Sequence, residues 1–137
     1  MNSELTKSLK HNILVNLLDG AFFGLGMGFA SYSTILPLFV RTMTDSAMLI
    51  GLIPAIHGAF WHLPQLLTVN RVARQTRIKP MVLILTIQER LPYLGLAWIA
   101  MSMAGFGTRT SLLLTFMMIS WQSLGAGFTA TAWQTLI

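Results

Sequence analysis

Four long apolar segments, separated by three short polar loops, constrain this chain more than any other feature. No Asp, Glu, Lys or Arg lies between Asp45 and Arg71, and none from Thr110 to Ile137. Segment 13–40 carries one charge, Asp19, and segment 80–105 carries two, Glu89 and Arg90. A helix crosses a hydrocarbon core of about 30 Å with roughly 20 mostly apolar residues, and each segment is long enough. The bilayer interior offers no partner to a bare peptide group, so segments of this kind must span it as helices. The expected fold is an all-α membrane protein with four transmembrane helices, over about 13–40, 46–70, 80–105 and 110–135.

Hydrophobic residues make up 54% of the chain and charged residues 9%, against about 25% charged in soluble domains. The net charge is +5. Those charges sit in loops beside apolar segments, so the expected partner is the lipid bilayer and its anionic head groups, not nucleic acid. With no cysteine, disulfides, thiolate metal sites and thiol catalysis are excluded. His57 and His62 are five apart, not the four of a zinc-binding H-E-x-x-H helix. No nucleophile–base pairing stands out, and no catalytic residue, metal or cofactor is expected. Lys7, Lys10 and His11 before an apolar run, with Gly28-Phe29-Ala30 after it, resemble a cleaved leader. The run continues to Val40 and contains Asp19, so it reads as a retained span.

Positive residues set the orientation. The N-terminal tail holds Lys7 and Lys10, and loop 71–79 holds Arg71, Arg74, Arg77 and Lys79. The two loops that alternate with them carry only Arg41 and Arg109. Short loops rich in Lys and Arg stay in the cytoplasm. The expected arrangement is multi-pass in a plasma membrane of the bacterial inner-membrane type. The N-terminus and loop 71–79 are then cytoplasmic, with helices 1 and 3 running outward.

Gly20, Gly24 and Gly28 recur every fourth residue in the first segment and so share one helix face. Small residues let membrane helices approach closely, and this face is expected to be a packing groove, as are Gly125 and Gly127 in the last segment. Pro54, Pro64 and Pro92 interrupt the second and third segments, and each removes a backbone donor. An internal match links the ends of the chain: Leu25-Gly26-Met27-Gly28-Phe29 and Leu124-Gly125-Ala126-Gly127-Phe128 both read L-G-x-G-F. In transporters built from three-helix repeats, helix 4 is the counterpart of helix 1.

Ionisable groups at membrane depth are costly and usually face the bundle or water. At about 1.5 Å per residue, Asp19 lies about 9 Å from the inner end of its segment, His62 about 10 Å and His57 about 18 Å. Glu89 and Arg90 lie about 13 to 15 Å in, and Gln122 at a depth similar to His57. Glu89 and Arg90 are sequence neighbours and do not stack on one helix face. Arg90 is therefore expected to find a carboxylate on another helix, first of all Asp19. Asp19, His62, Glu89 and Arg90 form the expected buried polar network. Asp19, His57, Trp121 and Gln122 are the expected lining of a substrate or ion pathway. Trp133 is expected in the aromatic belt at the inner interface.

The basic loop after helix 2, the inward N-terminus and the glycine-lined helix 1 resemble the major facilitator superfamily of secondary transporters. The resemblance covers the whole chain, as the first four of twelve helices. Aligned on the family loop signature G-x-L-A-D-R-x-G-R-R, residues 70–79 match at Ala73 and Lys79. Asn70 replaces its first glycine and Arg74 its aspartate, so the gating role of that aspartate is not carried over. The resemblance implies a partial N-terminal transmembrane domain over 1–137 that moves an unknown small-molecule substrate by alternating access. Its partners would be the remaining transporter helices. Helices 1 and 4 would line the cavity, with helix 3 more peripheral. Two rivals are a complete four-helix exporter of the small multidrug type, with Asp19 exchanging protons, and a non-transporting subunit packing through the Gly20/Gly24/Gly28 face.

Overall fold

A computed structural model describes residues 3–72, 74 and 78–136. The chain forms five helices in the order α1 (Ser3–Phe29), α2 (Ile35–Arg41), α3 (Ala47–Val72), α4 (Ile78–Phe106) and α5 (Thr108–Leu136). Among the described residues there is no strand. Four helices, α1, α3, α4 and α5, are long and apolar enough to cross a membrane. The protein is all-α and of the multi-pass membrane type.

The first apolar segment is not one helix, which corrects the continuous span expected over 13–40. Its long helix ends at Phe29, and the seven-residue α2 starts at Ile35. The break holds Ser31, Tyr32, Ser33 and Thr34, and Pro37 follows in the first turn of α2. Proline gives no amide to the carbonyl four residues back, and hydroxyl side chains offer the backbone competing bonds. The Ser31 and Ser33 hydroxyls bond each other across the break, at 3.1 Å. Seven residues rise only about 10 Å, so α2 cannot cross a bilayer.

Local chemistry fixes the other ends. Ser46 precedes α3 and its hydroxyl accepts the Leu49 amide at 3.4 Å, a helix cap. Between α4 and α5 the turn is one residue, Gly107, at φ 74°, a left-handed conformation that glycine adopts without strain. Its amide donates to Met103 O at 3.2 Å and its carbonyl accepts from Ser111 at 3.1 Å. So tight a turn lays α5 back along α4.

Helix α5 is the centre of the molecule, packed extensively on α4 and on α3. Its buried face is polar and small: Ser111, Thr115, Gln122, Ser123 and Thr129 join Ile119, Ala126 and Ala132. Burying hydroxyls is possible because Thr115, Ser123 and Thr129 each donate to the carbonyl four residues back, at 2.8, 2.8 and 2.9 Å. The bond is made inside the helix, so the hydroxyl needs no partner across the interface. One apolar core joins Tyr32, Leu36, Val40, Ile53, Leu96 and Ile119, and a second, at the other end of the bundle, joins Val72, Val82 and Ala132.

The glycines divide unexpectedly. A Cβ at Gly127 would lie 2.5 Å from Trp61 O and 3.0 Å from Phe60 O, and one at Gly125 would lie 2.9 Å from Gln88 Oε1. These two are packing glycines, Gly125 against α4 and Gly127 against α3. At Gly20, Gly24 and Gly28 a Cβ would meet nothing within 4 Å. The expected packing groove on α1 is therefore open in this chain, and α1 has no extensive partner among the described helices. The two L-G-x-G-F copies consequently occupy different environments, one open and one packed.

Candidate functional site

The polar residues at depth separate into two clusters. The first lies where α1, α3, α4 and α5 meet, around a cavity of about 230 Å³ lined by Asp19, Gly20, Phe23, Trp61, Thr86, Glu89, Arg90, Ala126, Thr129, Ala130, Trp133 and Gln134. Arg90 Nη2 donates to Asp19 Oδ1 at 3.1 Å, joining α4 to α1 as the lone arginine at depth required. Both side chains remain about half exposed, at 50% and 41%, so the pair is a bridge on a cavity wall and not the buried lock expected. Glu89 is buried, 4% exposed, and points to the α5 side, against the Thr129 hydroxyl. Consecutive residues on α4 thus face different helices, because neighbours on a helix project about 100° apart.

A second, open cavity of about 650 Å³ lies beside the first, between α1, α2 and α4. Asp19, Phe23 and Arg90 line both, so the ion pair stands between the two volumes. Apart from this pair, α1 is tied to α4 by the Tyr93 hydroxyl, which donates to Met27 Sδ at 3.2 Å.

The second cluster is built on Tyr32, in the break after α1. Its ring stacks on His57 with centroids 3.7 Å apart and planes 4° from parallel, and its hydroxyl donates to Gln122 Oε1. His57 Nδ1 shares a hydrogen bond with Ser123 Oγ at 3.0 Å, and Trp61 meets the same imidazole edge-on at 5.4 Å. The Tyr93 hydroxyl lies 3.4 Å from that of Tyr32. Gln122 is fully buried, and its Nε2 has no partner among the described residues.

Several expectations change. His57 and Gln122 belong together, joined by Tyr32, yet neither lines the two cavities containing Asp19. Trp121 is 42% exposed on the outer face of α5 and lines neither cavity. His62 is exposed, and its Nδ1 bonds Gly58 O on its own helix at 2.7 Å, so it leaves the expected network. Trp133 lines the smaller cavity instead of a lipid-facing belt. Helix α4, expected at the periphery, supplies Glu89 and Arg90 to that cavity. In the basic loop Arg74 and Lys79 are exposed. Arg77 and the side chain of Arg71 lie outside the described residues. So do Ala73 and residues 75–77, which make up much of the segment aligned with the family signature. Tyr32, Tyr93 and Thr129 were not singled out from the sequence. The serine-rich interruption around Tyr32, followed by Pro37, was the available signal for the first.

Comparison with protein-family models, with curated proteins and with solved structures finds no match to this chain.

Proposed function

We propose that the chain is part of a secondary active transporter that moves a small solute across the membrane by alternating access. The observation that carries this reading is the cavity at the four-helix junction, which holds Asp19, Glu89 and Arg90 at membrane depth beside a loosely attached helix. A passive anchor gains nothing from three ionisable groups, each costing a few kcal/mol to hold at that depth. Such groups at depth mark substrate and ion pathways. Alternating access also needs one element to move against another around a fixed site. Helix α1 meets that need, because an ion pair and a tyrosine–thioether contact are its polar ties to a firmly packed α3–α4–α5 unit. The resemblance to the major facilitator superfamily supplies the wider frame, with further helices completing the site.

The small multidrug alternative fits less well. Its mechanism needs the helix 1 carboxylate free to exchange, and Asp19 is held by Arg90. The packing-subunit alternative draws support from the open Gly20/Gly24/Gly28 face, which can accept a helix from outside this chain.

The test is to read the gene beyond codon 137 and reconstitute its full product in liposomes. A frame that continues through further hydrophobic helices, with solute counterflow dependent on Glu89, is the expected result. A stop after Ile137 together with no solute movement would favour the packing subunit.

A further inference from the structure

Glu89 is the carboxylate at the junction that forms no ion pair among the described residues. Arg90, its sequence neighbour, is committed to Asp19 at 3.1 Å. The hydroxyl facing it belongs to Thr129, which spends its hydrogen on Gly125 O at 2.9 Å. At 4% exposure a carboxylate is held where an uncompensated charge is expensive. Among the described residues no cation is bonded to it, which leaves room for one brought by a ligand.

The walls of the smaller cavity say which kind. Trp61, Phe23 and Trp133 line it together with Glu89, and aromatic faces attract cations, most strongly out of water. A hydrated metal ion would need about six oxygen ligands. Among the described residues no group of three His, Cys, Asp or Glu side chains is gathered for a metal. A proton alone would need no aromatic-walled volume. The cavity measures about 230 Å³, below the roughly 300–1,000 Å³ of pockets for drug-sized molecules. Multi-ring solutes are thus too large.

We propose that this cavity binds a small organic cation, with its ammonium group on Glu89 and its apolar body against Trp61, Phe23 and Trp133. The Asp19–Arg90 bridge has a negative task here: it occupies the arginine that would otherwise neutralise Glu89. The proposal deepens the transport reading by naming its solute class, and rests on it for the direction of use, though binding can be measured without transport.

The test is calorimetric titration of the purified full-length gene product, in lipid nanodiscs, with choline and with dimethylbutanol, its uncharged carbon isostere. Choline is expected to bind at least about tenfold more tightly than the isostere, and Glu89→Gln to remove at least about tenfold of the choline affinity while leaving the helical circular dichroism unchanged. Equal binding of the two probes, no choline binding by the folded wild type, or undiminished binding by Glu89→Gln would each overturn the proposal. If the variant does not fold, the choline–isostere comparison on the wild type decides alone. A protein that exchanges some other solute while ignoring choline refutes the cation site but not transport. A protein that binds choline through Glu89 yet moves nothing refutes transport but not the site.

Discussion

Removing one oxygen from Tyr32 should reveal how much the molecule depends on a residue outside its long helices. Tyr32 donates to Gln122 Oε1, and Gln122 is fully buried with its Nε2 already unpartnered. Tyr32→Phe strands the acceptor as well, and leaving a buried polar group unsatisfied costs about 1–3 kcal/mol. Replacing both members, Tyr32→Phe with Gln122→Met, removes the stranded amide and should be less damaging than the single change. Thermal unfolding in micelles checks the order, and a double variant that melts below the single one would contradict it. At this scale the sequence was partly legible. The Asp19–Arg90 pair followed from the need of a deep arginine for a carboxylate. Tyr32, in the break after α1, and Tyr93, midway along α4, were missed because an uncharged tyrosine in an apolar run gives no sign of the hydrogen bond its hydroxyl makes. Which group its hydroxyl reaches depends on how the helices are turned.

Among elements, the close approach of α5 to α3 depends on the missing side chain of Gly127. Pro64 cannot donate to Phe60 O, and Gly127 sits where a Cβ would fall 3.0 Å from that carbonyl and 2.5 Å from Trp61 O. Backbone atoms cannot step aside as a flexible side chain can. Gly127→Ala should therefore push the helices apart and destabilise by about 1–3 kcal/mol. Gly24→Ala meets open space and should be neutral or stabilise α1 by up to about 1 kcal/mol through helix propensity. Denaturation of both variants of this chain gives the comparison. A Gly24 variant as unstable as the Gly127 variant would mean that α1 packs through its glycines after all. Small residues put the two glycine sets on equal terms in the sequence, since a glycine shows where a helix can come close and not whether one does.

For the whole molecule, the loop charges and the helix count make a joint claim about topology. Helix α2 is too short to cross, and four helices are long and apolar enough to do so; four crossings would put residues 3 and 136 on one side. Alkaline phosphatase, active only outside the cytoplasm, should be active when fused after Asp45 and inactive when fused after Arg74. The reverse pattern would invert the orientation, and activity at both points would deny that α3 spans.

The number and type of the helices able to span were legible in the sequence, because an apolar run in lipid must satisfy its own backbone bonds locally; the extent of the first was not. The place where the first helix stops was also written there, in Ser31–Thr34 and Pro37, though the length of the apolar run masked it. The central position of α5, the choice of Gly127 over Gly24 as a packing glycine, and the turning of Glu89 toward α5, away from the Asp19–Arg90 pair, were decided only by the tertiary structure. Lipid tails are as apolar as leucine, so a membrane helix need not mark its inward face with hydrophobicity. The rotation of each helix emerges only when backbones, glycines and the few polar groups are packed against one another.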